Sequence, residues 1–284
     1  MRLASFIHAG KQGFGVVRGG DIVDLSGEAA TLRDALAAWG LDGLRARAGA
    51  AQRTVPIAQI TWLPPITHPD KILCVGLNYH AHAKEANMAV PDHPSLFVRF
   101  ASAQVAHGES VVRPRASHRF DYEAELAVVI GRAGRHVDAA HALDIVAGYA
   151  CFAENSVRDW QTHSRQATPG KNFERSGAFG PWIVTPDEAG PVEAMEVIGR
   201  LNGREMQRDR AANMIFSIGQ QIEYITTFIT LLPGDVIVTG TPAGVGFTRN
   251  PPVWLTPGDR FEVEISGVGV LSNDVIDEPS KEGA

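Results

Sequence analysis

The sequence predicts an α+β, mostly β protein: a mixed sheet, rolled or sandwiched, over residues 67–284, preceded by a small α+β unit over residues 1–66. Three observations carry this. Short strand-like runs far outnumber helical patterns and do not alternate with them, which argues against a βα-repeat architecture. Gly 29 and Pro 17 are spread along the chain as turn punctuation. The paired prolines of TWLPPITHPD block both helix and ladder bonds, and so mark a linker between two stretches of different pattern.

In order, RLASFIH, GVVRGG and DIVDL are short runs separated by turn residues and read as a meander, and TLRDALAAWGLDGLRAR follows with apolar residues at helical spacing. Beyond the linker, KILCVG reads as a buried strand, with Asn78 as the expected cap of a short helix, YHAHAKEAN. DYEAELAVVIG, IVAGYACFAE, GPWIVT, EVIGRLNG, DVIVTG, RFEVEIS and VGVLS read as strands. MIFSIGQQIEYITTFITLL is the one long helical pattern in this part, with Ile215, Ile218, Ile222, Ile225 and Ile229 in phase.

The 284 residues carry a formal charge of -6, with 44% hydrophobic and 20% charged residues, which suits an ordinary globular chain. Mild acidity leaves no footprint for nucleic acid or an anionic membrane surface. No run approaches the ~18 apolar residues of a membrane span. Cys74 and Cys151 are the only cysteines, too few for a disulfide framework or a Cys-rich zinc site, so the reducing cytoplasm is the expected compartment.

The chemistry-bearing signals are carboxylates first. On an extended DYEAELAVVIG, Glu123 and Glu125 share one face, about 7 Å apart. Such a pair suits a solvated face when taken alone. Here the strand continues into Leu126, Val128, Val129 and Ile130, where two like charges would be poorly solvated unless a cation joined them. Glu154 ends a second apolar strand, followed by the polar cluster Asn155, Ser156, Arg158, Asp159 and Gln161. Three carboxylates with no Cys or His at ligand spacing mean a hard cation, Mg²⁺ or Mn²⁺ before Ca²⁺.

In NYHAHAKEA, His82 and Glu85 are three apart and share a helix face, the arrangement by which a carboxylate raises imidazole basicity; it also occurs as surface decoration. Lys171 follows Pro169-Gly170 in a chain with only five Lys, and in a loop its compact charge could meet an enolate. PGDVIVTGTPAGVG is a strand running into a glycine-rich turn, where the N–H groups around Gly240 and the hydroxyls of Thr239 and Thr241 could hold a carboxylate. It lacks the GK[ST] of a Walker A loop.

GLNYHAHAKEA, DYEAELAVVIG, ENSVRDWQ, TPGKNF, FGPW and LLPGDVIVTGTPAGVG occur in the order found in the fumarylacetoacetate hydrolase family, which the chain resembles from about Lys71 to Asn273. The first 65 residues resemble, more loosely, the small extra domain of many bacterial members. The resemblance implies a homodimer of β-roll subunits holding Mg²⁺ or Mn²⁺ through Glu123, Glu125 and Glu154. It implies a His82–Glu85 dyad on a segment that closes as a lid, Lys171 as the enolate stabiliser, Arg158 and Gln161 beside the ligand, and Thr241 with Gly240 at its carboxylate. One departure stands out: Ala153-Glu154 replaces the family's usual Asn-Asp, lengthening the third ligand by a methylene.

The reading that follows is a metal-dependent hydrolase cleaving a C–C bond in a 2,4-dioxo acid, an acylpyruvate such as fumarylpyruvate or maleylpyruvate, and releasing pyruvate. His82, aided by Glu85, would deprotonate water for attack on the distal carbonyl. An oxaloacetate decarboxylase, an isomerase or hydratase of unsaturated 2-oxo acids, and an inactive 2-oxo acid binder are the rivals, because the same constellation serves each.

Overall fold

The computed structural model describes residues 1–279 and is mostly β, as the patterning predicts. A twelve-stranded sheet organises the chain. Its path runs Thr54–Pro56, Asp21–Asp24, Lys11–Arg18, Arg2–His8, Gly177–Val184, Val146–Ala153, Ala124–Ile130, Val236–Val238, Ile72–Gly76 and Ser95–Arg99; Thr61–Leu63 and Gln104–Val105 pair off this path. A second sheet of five strands runs Arg204–Arg210, Glu196–Leu201, Arg260–Ile265, Gly269–Asp277 and Val111–Arg113. Most pairings are antiparallel, but Val236–Val238 runs parallel to Ile72–Gly76 and Gly269–Asp277 parallel to Val111–Arg113, so the sheets are mixed.

The strand Ala124–Ile130 shows why its sequence reads as a continuous apolar run. Every residue in it is buried. Leu126, Val128 and Ile130 enter a core shared with Val197, Val263 and Leu271 of the second sheet and with Ile218, Ile222 and Ile225. Ala127 and Val129 enter a different core, beside Leu32, Leu36 and Leu44 of the N-terminal helix. A strand covered on both faces has no polar side to show. The N-terminal strands extend the same sheet, because Leu3 pairs with Ile183.

The helices depart from their patterns at the ends. Leu32–Ala50 is the longer one, kinked at Gly40, whose φ of 60° lies in the left-handed region open to glycine. The pattern running from Met214 to Leu232 forms helix only over Ile218–Phe228. Ser217 stops it at the start: its hydroxyl accepts the Gln220 N–H while Gln220 caps back, and the Ile215 N–H is drawn instead to Asn78 O at 2.8 Å. Ile229, at the other end, is extended.

Asn78 is not the cap of the short helix His80–Glu85; Tyr79 occupies that position, without a side-chain bond. The Asn78 amide is fully buried and donates to Phe216 O and Thr239 O at 3.1 and 2.7 Å, while its oxygen accepts the Phe216 N–H at 2.8 Å. Three chain segments therefore meet on one side chain.

Candidate active site

The two central strands deliver the carboxylates. Glu123 and Glu125 flank and begin Ala124–Ile130, and Glu154 leaves Val146–Ala153, the antiparallel neighbour in which Ala153 faces Ala124. That register brings Glu154 beside the other two although it lies some thirty residues further along the chain. One oxygen from each of the three falls within 4.8 Å of the others, and all three residues are buried. The extra methylene of Glu154 does not take it out of the cluster.

Cations fill the space around these acids. Arg158 Nη1 lies 3.0 Å from Glu123 Oε1, and its Nε donates to buried Asp121 at 2.8 Å. Lys171 Nζ lies 3.0 Å from Glu123 Oε1 and donates to Glu154 Oε2 as well. Lys171 is not on an open loop: it ends the helical turn Thr168–Lys171 and is 2% exposed. Gly170 lets this turn press onto Gln161, since a β-carbon there would sit 2.5 Å from the Gln161 backbone nitrogen.

Burial and charge act against each other here. Burial works to raise the Glu123 pKa, but Arg158 and Lys171 outweigh it and bring the carboxyl down to about 2. Glu125 goes the other way: burial, reinforced by the neighbouring Glu154 and Glu123 charges, holds it well above the ordinary carboxylate range. For Lys171, burial opposes the ammonium, yet Glu123 and Glu154 keep its pKa above that of a free lysine.

The dyad closes the other side. His82 Nδ1 and Glu85 Oε1 are 2.7 Å apart on the short helix, and His82 is 6% exposed. Glu85 Oε2 accepts the Gly244 N–H at 2.9 Å and the Thr248 hydroxyl at 3.1 Å, tying this helix to the glycine-rich segment. Burial tends to raise the Glu85 pKa, but the bonds from His82, Gly244 and Thr248 prevail and lower it.

A cavity of about 850 Å³ joins these groups; His82, Glu123, Glu125, Glu154, Lys171 and Thr241 are among its walls, as are Arg158 and Gln161. Gly240 is not among the lining residues, and its N–H donates to Glu125 Oε2 at 2.6 Å. The Thr241 hydroxyl donates to Ala124 O and accepts from Gln207, both within 3.0 Å. Gly240 therefore braces Glu125, where the sequence suggested a cradle for substrate, while Thr241 keeps its place on the cavity wall.

An all-oxygen, buried, convergent donor set fits a hard divalent cation and excludes a thiolate-type zinc site. Over residues 71–276 the chain matches the family described as "Fumarylacetoacetate (FAA) hydrolase C-terminal". The chain belongs to the fumarylacetoacetate hydrolase family. Among its relatives, oxaloacetate tautomerase FAHD2A, mitochondrial, from Bos taurus is 39% identical over 266 residues, covering 91% of this chain and 85% of the relative. A putative HpcE protein from Mycobacterium smegmatis superposes with a TM-score of 0.88 at 33% identity, over 98% of this chain and all (100%) of that one. Maleylpyruvate hydrolase from Sphingobium sp. SYK-6, solved with manganese(II) and pyruvate, superposes with a TM-score of 0.81 at 30% identity, over 98% of this chain and 100% of that one. Members of the fumarylacetoacetate hydrolase family thus include enzymes acting on small keto acids.

Several groups that the fold brings to the site have little or no signature in the sequence. Asp121 stands in the DYE motif but carries no separate signal. Thr248 and Gly244 give no sign that they anchor Glu85. Arg99, a single cation in the apolar run LFVRF, had one usable clue: a charge inside a strand pattern needs a buried partner.

Proposed function

We propose that the protein is a Mg²⁺- or Mn²⁺-dependent enzyme that makes and quenches the enolate of a 2-oxo dicarboxylic acid, acting foremost as a keto–enol tautomerase of oxaloacetate. The observation that carries this is one cavity lined by an imidazole backed by a carboxylate, three convergent acids and a buried lysine. A divalent cation held by Glu123, Glu125 and Glu154 would supply Lewis acidity toward the 2-oxo acid end. His82 carries a proton to or from C3, with Glu85 fixing its tautomer and stabilising the imidazolium. Lys171 uses two of its N–H groups on Glu123 and Glu154, which leaves a third for the enolate oxygen. Arg158, Gln161 and Thr241 complete the walls around the acid end. The tautomerase relatives, at about two-fifths identity, favour this reading.

A second reading, hydrolytic release of pyruvate from an acylpyruvate, is favoured by the size of the cavity: about 850 Å³ leaves room beyond a four-carbon diacid. In that reaction His82 takes its proton from water. A panel of enol-oxaloacetate, acylpyruvates and unsaturated 2-oxo acids, run with Mg²⁺ and Mn²⁺, separates the readings. Faster enol-to-keto conversion with no pyruvate release supports the first. Loss of acylpyruvate absorbance with stoichiometric pyruvate supports the second, and CO₂ release from oxaloacetate would make the protein a decarboxylase. The homodimer belongs to this proposal too, and sedimentation of the purified chain tests it. Among the described residues no helix is long and apolar enough to cross a membrane.

A further inference from the structure

We infer that Arg99 is a positioning residue for Glu154, setting which oxygen that carboxylate presents to a bound cation. This rests on the reading of Glu123, Glu125 and Glu154 as a metal centre. Arg99 ends the strand Ser95–Arg99, and its side chain has 0% exposure against 1% for Glu154. Arg99 Nη1 lies 2.9 Å from Glu154 Oε1 and also donates to Asn155 O at 3.0 Å. Nη2 donates to Ser176 Oγ at 3.0 Å. Asn155 in turn donates to Ser176 O at 3.0 Å, closing the frame around the guanidinium.

Space has been left for this group. A β-carbon on Gly177 would stand 2.6 Å from Arg99 Nη2, so any larger residue there displaces it. Arg99 thus occupies Oε1 and leaves Oε2, the oxygen on the Lys171 side, for the cluster. A glutamate has one more torsion than an aspartate and more ways to turn from a cation. A planar, multiply anchored donor removes that freedom at the far oxygen, which a lysine, a single flexible point charge, does not. Partners of this kind, one shell out from a metal, typically change its affinity by about 10- to 100-fold when altered.

The test is Mn²⁺ titration by calorimetry of the full chain, stripped with EDTA, with thermal unfolding of each variant alongside. Arg99→Lys keeps the charge and loses the fork, and it should weaken Mn²⁺ binding by about tenfold or more at a near-wild-type Tm. Combined with Glu154→Gln, it should add nothing to the loss from Glu154→Gln alone, since it acts through that side chain. Affinity within twofold of wild type, or losses that simply multiply, would overturn the inference. If Arg99→Lys does not fold, Ser176→Ala removes one anchor only and should weaken binding several-fold; an unchanged affinity there overturns the inference equally. A wild-type protein that binds no Mn²⁺ would instead remove the metal-centre reading beneath it.

Discussion

At the scale of single residues, the two halves of the site answer to different physics. His82 is useful only if its proton moves, so His82→Ala should cut tautomerisation, or acylpyruvate cleavage, by about 10² to 10⁴. Oxaloacetate decarboxylation, if the protein performs it, takes its electrons from the departing CO₂ and should survive the same change far better. Lys171→Met should depress all three, because each passes through an enolate. Initial rates on the three substrates decide it; equal losses in His82→Ala would mean that the imidazole only positions substrate. Glu85 adds a pH dependence. Its native pKa lies below the ordinary value of about 4.3, because His82, Gly244 and Thr248 outweigh its burial. A lowered carboxylate pKa contributes stability that is full above the unfolded value and fades as pH falls through the native one. The Tm gap between wild type and Glu85→Gln should therefore be widest near neutrality and close as the pH falls below the ordinary carboxylate range. A gap independent of pH would mean that the carboxylate charge is not what holds the short helix.

At the scale of elements, the short helix His80–Glu85 owes its place to its two ends. Six residues are too few to be stable alone. Glu85 fastens one end to Gly244 and Thr248, and Asn78, two residues ahead of the other, ties the chain to Phe216 and Thr239. Asn78→Ala would strand buried backbone groups on two segments at once, at about 1–3 kcal/mol for each unsatisfied group. Urea unfolding should report a loss of that order, and activity should fall with it because His82 sits on the loosened helix. A neutral result would show that water replaces the amide. Ser217→Ala, which removes half of a capping box at a residue that does not line the cavity, should cost only about 1 kcal/mol and leave catalysis intact.

At the scale of the whole molecule, most of the acid charge of the site is met by the protein's own cations before any metal arrives. Glu154 pairs with Arg99 and Lys171, Glu123 with Arg158 and Lys171, and Asp121 with Arg158, while burial and its acidic neighbours hold the Glu125 pKa well above the ordinary carboxylate range. The fold should therefore survive EDTA while activity does not. Circular dichroism of the stripped protein should match that of the loaded one, and saturating Mn²⁺ should raise Tm, by about 2.7 kcal/mol of added stability at a hundredfold excess over Kd. Glu123→Ala and Glu125→Ala should abolish that rise. Collapse of the apoprotein would show that the three cations do not substitute for the metal.

Much of the site was legible in the chain because its signals are local. Glu123 and Glu125 share a face through the two-residue period of a strand, and His82 meets Glu85 through the turn of a helix. The order of motifs was enough for the family. Other features depend on which strands become neighbours, and no local period encodes that. Arg99 reaches Glu154 across 55 residues, Asn78 reaches Phe216 across 138, and Glu85 reaches Gly244 across 159. Gly240 turned from substrate cradle to carboxylate anchor for the same reason: Glu125 stands opposite it only once Val236–Val238 has paired with Ala124–Ile130. The sequence by itself determined the chemical parts and the mostly-β class, because side-chain type and short-range periodicity act within a few residues. Tertiary structure alone decided how those parts are held and neutralised, because a buried charge takes its partner from whatever the packed sheets bring within about 3 Å, however distant in the chain.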